Sequence, residues 1–452
     1  MPGASLSRWT LCYFGCALAF LIAGEALMVA GFGYPAAAID DPRTLILVHI
    51  IAIGWMSLLL CGALFQFVPV LVARPLWGAS LALPALLLLL VGLVLLLLGF
   101  AGLGGLLAVP TALLPLGGAI LLLGFGAVVV ALAGTLWTAR PWGLPAQFVA
   151  VGLAALTVTV ILGNCFALVL AGLVGGEPAL ALLLHGVPLH AALGLGGWLT
   201  FTAMGVSYRL LAMFMLAPDT DQRSTRVVLG VGALALVLVA AAVPLAIAAS
   251  GGIAATLLVA AGAALIALLV YGQDILRLYR KRKRRHIELN ARAAIGAFGA
   301  LALTVVLLFG LLGFEHLETG IGALVYLVVF GWLGGLGLAK LHKIVPFLTW
   351  LECFAPVLGK RPTPRVQDLV DEAHATPWFY AYYIAVALGT ALLLVGWNDA
   401  FRLCAALQLV ATLGIARHFY RARELLNVPS SLRDGFAAPH LFLSQPAVRK
   451  VP

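Results

Sequence analysis

The chain carries apolar runs too long for any soluble core. The stretch 79-ASLALPALLLLLVGLVLLLLGF-100 contains no charged residue, and about 20 such residues cross the hydrocarbon core of a bilayer. Similar blocks recur from end to end, broken by short clusters of Gly, Pro and charge. They predict spans near 9–33, 44–71, 77–100, 105–137, 146–173, 181–216, 225–249, 252–277, 291–313, 320–350, 378–396 and 399–420. A membrane barrel would show short alternating segments, so these blocks are helices. The expectation is an all-α polytopic membrane protein, one transmembrane domain over 1–426 with a tail over 427–452.

Composition fits this reading and excludes another. The chain is 63% hydrophobic and 10% charged, whereas soluble domains sit near half apolar and a quarter charged. Its net charge of +10 is therefore no sign of a nucleic-acid partner, because membrane proteins concentrate Lys and Arg on cytoplasmic loops. With the N-terminus inside, every Lys and Arg except Arg43 and Arg402 falls on an inner loop, an inner helix end or the tail. The run 277-RLYRKRKRR-285 dominates that bias, as a topology determinant or as a site for anionic lipid. A bacterial-type inner membrane with both termini cytoplasmic is expected. The first span holds Glu25 and lacks an A-x-A cleavage site, so it reads as retained. Six cysteines lie in or beside apolar segments without a CxxC pair, which gives no disulfide framework and no covalently attached haem.

One helix recurs three times. With each Gly-Trp pair as origin, Gly54-Trp55, Gly197-Trp198 and Gly331-Trp332 align. Fifteen residues after each Gly stand Pro69, Ala212 and Pro346; eight after stand Gly62, Gly205 and Ala339. The small residues allow close helix approach. These copies are spans two, six and ten, so the unit is four helices repeated three times (about 1–76, 77–220 and 221–360, with closing helices over 378–420).

The copies differ in what they carry near the outer face. The first opens on His49, five residues before its Gly. The second has His185 and His190 in 185-HGVPLHAALGLGGWLTF-201, and the third has Tyr326 at the offset of His49. Histidine inside an apolar span tends to face a bundle interior, and imidazole suits haem iron and copper alike. His49, His185 and His190 are therefore either haem or metal ligands, or hydrogen-bonded packing residues. His185 and His190 are separated by roughly 140° on an ideal helix, unless Pro188 begins the helix and leaves His185 ahead of it. His316 is the third copy's only nearby outer histidine. His342, His286, His374, His418 and His440 fall at the inner side, where a solvated or headgroup-facing placement is expected. Glu25 reads as a proton carrier or a hydrogen-bonded acid, Asn164 as interhelical glue, and Tyr208 with Arg209 as snorkelling residues. Cys12 and Cys16, at i, i+4, read as small packing residues or a two-thiol metal site.

Twelve helices in three pseudo-threefold arcs, with outer-end histidines on even helices, resemble subunit I of the haem–copper oxidase superfamily. The local pattern is most similar to cbb-type oxidases and nitric oxide reductases. Their helix reads His-x-His, small residues, Gly-Trp, then an aromatic-rich ending at Val-Pro. Here 49-HIIAIGW-55 matches the spacing from that motif's second histidine, and 190-HAALGLGGW-198 from its first. The resemblance implies a b-type haem ligated by His49, a copper ligand at His190 or His185, and a cytochrome or respiratory subunit as partner. The six-histidine set is incomplete: span seven has no histidine, span ten no His-x-His, and no His-His pair occurs. Copper in such a site needs three imidazoles. The expectation is a haem-binding redox or small-gas-handling protein, an oxidoreductase if it is an enzyme, without a complete oxygen-reducing centre. A non-catalytic copper-handling or oxidase-assembly protein is the alternative. A secondary transporter is disfavoured, because transporter repeats commonly fall into two halves with sites near the midplane.

Overall fold

Gly and Pro set the helix ends, and apolar length carries the helices between them. A computed structural model describes residues 8–218, 222–248, 253–433, 436 and 439–443. Among these, twelve helices are long and apolar enough to cross a membrane. They are α1 Thr10–Val29, α2 Pro42–Val72, α3 Ala79–Leu103, α4 Leu113–Trp137, α5 Leu144–Leu170 and α6 Glu177–Met215. There follow α7 Gln222–Ile247, α8 Ile253–Arg280, α9 Leu289–Gly313, α10 Leu317–Cys353, α11 Glu372–Leu394 and α12 Asn398–Arg423. No β-strand occurs among the described residues. The chain is an all-α polytopic membrane protein.

The boundaries follow local chemistry. Asp41 caps α2: its carboxylate accepts the Arg43 N–H at 2.8 Å and the Arg43 guanidinium at 3.0 Å. That guanidinium holds the Asp41 carboxyl below the usual carboxylate range. Helix α6 begins earlier than its apolar run implies, at Glu177 after Gly176, with Pro178 in its first turn, where a missing N–H is harmless. It then runs straight through Pro188. The expectation that Pro188 starts the helix is thus corrected, and His185 lies within it.

The chain forms two compact units, Met1–Gln66 with Ile287–Pro452, and Phe67–His286. In the first, α1 packs along α2 and α12, α9 along α10, and α11 along α12. Its closing loops are stapled by Arg423, which is buried and donates to Glu352 and Thr349 at 3.0 Å each, and also to the His440 carbonyl. In the second unit, α3–α4 and α7–α8 are tight hairpins, and α5 packs against α4 and α6. Small residues set these spacings, since a Cβ on Gly92 would meet the Leu121 nitrogen at 2.8 Å. Lipid is as apolar as leucine, so close packing and not burial holds such helices together.

Each repeated helix carries the same irregularity. Helices α2, α6 and α10 switch to π-helical winding over Ile50–Ser57, Ala192–Phe201 and Leu327–Gly334, and every Gly-Trp pair lies inside such a segment. The pair's packing repeats too. A Cβ on Gly54 would meet Phe20 of α1 at 2.6 Å, one on Gly197 would meet Ala155 of α5 at 2.6 Å, and one on Gly331 would meet Ala300 of α9 at 2.8 Å. Gly62 and Gly205 likewise face Tyr13 of α1 and Phe148 of α5. In every copy the glycine is where the helix meets its predecessor. Enclosure does not repeat: the most apolar stretches of α2 and α10 are 61% and 72% buried, that of α6 only 22%. The N-terminal half of α6 leaves Leu180, Leu184 and Val187 exposed.

Candidate functional site

His49 is the last residue before the first π-helical segment. It is half-buried, and its Nδ1 lies 2.7 Å from the Leu45 carbonyl. A carbonyl only accepts, so Nδ1 is the donor and the lone pair sits on Nε2. His190, half-buried in the second unit, repeats the arrangement across helices. Its Nδ1 donates to the Thr159 carbonyl of α5 at 3.0 Å, and its ring stands edge-on to Phe166 at 5.5 Å. Metal-binding histidines usually fix their tautomer in this way.

The remaining histidines divide differently from expectation. His185 is exposed on the same regular helix as half-buried His190, so the two rings do not address one point. His316 is exposed. His342 and His418, expected in solvated or headgroup surroundings, are instead buried in the first unit. The His342 ring stands edge-on to Phe379 at 5.6 Å and tilted to Phe419 at 6.4 Å. Its Nε2 and the Nδ1 of His418 have no hydrogen-bond partner among the described residues. Interhelical packing, not the aqueous boundary, decides their surroundings. No group of three or more His, Cys, Asp or Glu among the described residues is placed to hold a metal ion. His49 and His190 each offer a single imidazole, and no three-imidazole copper site is assembled among the described residues.

A polar group inside the helices of the first unit is centred on Glu25. Tyr326 ends the α-helical part of α10 before its π segment and donates to Gln408 Oε1 at 2.5 Å. Gln408 Nε2 and Thr412 Oγ1, both of α12, donate to Glu25 Oε1 at 2.8 and 3.0 Å. Glu25, Gln408 and Thr412 are fully buried. Gly24 packs on Ile50 and Ile51, with a Cβ there 3.1 Å from Ile51 Cγ1. Glu25 therefore lies at the His49 end of the α1–α2 pair.

Two smaller polar features complete the interior. In the second unit, Tyr208 is buried and donates to buried Asp274 at 3.0 Å, beside Ser224 at 2.8 Å. This corrects the snorkelling expected of Tyr208, whereas Arg209 is exposed. In the first, Lys340 is buried and its Nζ has no partner among the described residues. The interhelical bond expected of Asn164 is not made by its Oδ1, which has no partner and lies over Gly118. Gln408, Asp274 and Lys340 were passed over in the sequence, although a polar or charged side chain inside an apolar span is itself the signal. No family model matches the chain, and no curated protein matches it.

Proposed function

We propose that this is a haem-binding membrane protein that handles single electrons or a small diatomic gas, with His49 as an axial ligand to iron. The observation that carries the reading is the hydrogen bond from His49 Nδ1 to the Leu45 carbonyl, which leaves Nε2 as the basic nitrogen. The bond from His190 to Thr159 supports a ligand role for that residue within its own unit. The resemblance of 49-HIIAIGW-55 to oxidase subunit I supports the same reading, as do the three Gly-Trp copies wound into π segments. Such segments are rare and gather at functional sites.

His49 would hold a b-type haem, which would supply one-electron chemistry or a binding place for a small gas. The chain's own part is to fix the imidazole's tautomer and to hold the ring at a helical irregularity between tightly packed helices. Four-electron oxygen reduction lies outside the proposal, because the copper ligands it needs are not assembled. The remaining parts of the reading are a bacterial-type inner membrane, cytoplasmic termini and a cytochrome or respiratory subunit as partner; the Lys and Arg distribution supports the sidedness.

The test is reduced-minus-oxidised spectroscopy and oxygen uptake on wild type, His49→Ala and His190→Ala, expressed with haem supplied. A Soret band lost in His49→Ala, without oxygen uptake in any variant, is expected. No band in wild type overturns the haem reading, and robust oxygen uptake overturns the assignment of the missing ligands.

A further inference from the structure

The Glu25 carboxyl group is fully buried and only half-satisfied. Its Oε1 accepts two hydrogen bonds, from Gln408 and Thr412. Its Oε2, equally buried, has no hydrogen-bond partner among the described residues. Among the described residues no Lys, Arg or His forms an ion pair with it. The titratable groups around it are Tyr326 on α10 and Tyr382 on α11, with Cys404 of α12 beside Tyr326. Tyr326 and Tyr382 already donate elsewhere, to Gln408 and to the Phe330 carbonyl. The surroundings therefore offer no counter-charge and no donor to the second oxygen.

An ionised carboxylate in apolar surroundings without a paired charge costs far more than a neutral acid. A cation larger than a proton needs several oxygen ligands. Here Gln408 Oε1 already accepts from Tyr326, and among the described residues the other side-chain oxygens bonded to Glu25 are limited to the Thr412 hydroxyl.

We propose that Glu25, held by Gln408 and Thr412, is a proton-binding site inside the first unit that takes up and releases a proton on Oε2. In the uptake step an O–H bond of a hydronium ion from the aqueous phase breaks and leaves water, an O–H bond forms at Oε2, and no electron moves; release is the reverse. Gln408, itself held by Tyr326, keeps Oε1 fixed in both states, so the exchange is confined to one oxygen. Glu25 alone carries the proton; Gln408 and Thr412 act on Oε1, and Tyr326 acts as a positioning residue through Gln408. The proposal stands whether or not the protein binds haem.

Infrared spectroscopy of the full-length protein in lipid nanodiscs tests it, in light and heavy water, from mildly acidic to mildly alkaline pH. The expected result is a carboxylic-acid carbonyl band that shifts in heavy water, diminishes at alkaline pH and is missing from Glu25→Gln. Should Glu25→Gln not fold, Thr412→Val keeps the acid but removes a donor to Oε1, and moves the same band to higher frequency. Tyr326→Phe moves it less while leaving its exchange in place. Spectra of wild type that lack such a band at every pH overturn the proposal. So does a band that never exchanges in heavy water, which makes Glu25 a sealed structural acid. A band that appears only when sodium is withdrawn makes the site a sodium site and overturns it as well.

Discussion

The buried Arg423–Glu352 pair shows how much a single residue decides here. Both side chains are almost fully enclosed, and Arg423 also donates to Thr349 and the His440 carbonyl. Removing one partner strands the other charge, so Arg423→Met is expected to destabilise the folded protein by about 3–5 kcal/mol. Combining it with Glu352→Leu restores most of that loss, and thermal unfolding in detergent reads both. Asp41 gives a residue-level pH effect. Because the Arg43 guanidinium holds its carboxyl low, the cap is intact above the ordinary carboxylate range. It is lost only as pH falls through the depressed folded value. Protection of the Arg43 amide, taken relative to its intrinsic exchange rate at each pH, should fall on acidification in wild type and lose that dependence in Asp41→Asn. At this scale the sequence was uneven as a guide. Glu25 and His49 are visible as polar residues in apolar runs. The burial of His342 and His418 is not, because lipid and protein interior are equally apolar and no stripe of polarity marks which face of a span meets a neighbour.

Among the helices, the repeated ones carry the most information. Spacing alone aligns Gly54, Gly197 and Gly331, and in the structure each meets the preceding helix at a distance no side chain fits. Gly54→Val, Gly197→Val and Gly331→Val should each cost about 1–3 kcal/mol through overpacking, with Gly126→Val, in open space, as the neutral control. The π winding was not legible, since it depends on one surplus residue in the hydrogen-bond ladder and not on composition. It has a mechanical consequence. Deleting Ile53 should convert Ile50–Ser57 to ordinary α-helix and displace His49 from its place at the irregularity, relative to the C-terminal half of α2. Haem should then be lost from a protein that still folds, as read by circular dichroism beside the absorption spectrum.

For the molecule as a whole, the twelve spans were readable because each is a continuous apolar block of membrane length. The division at Gln66 and Ile287 was not, since Gln66 lies inside an apolar span and the basic run before Ile287 reads as a topology determinant. Sidedness rests on Lys and Arg alone. An impermeant thiol reagent on intact cells should label a cysteine placed at Asp40, and should label one at Arg361 only after permeabilisation. The reverse pattern inverts the topology. Haem ligation by His49 is the claim on which the functional reading turns, and chemical rescue addresses it most directly. His49→Gly, purified and given free imidazole, should regain the Soret band and haem content of the wild type, while His185→Gly never loses them. Full haem content in His49→Gly without imidazole contradicts the assignment.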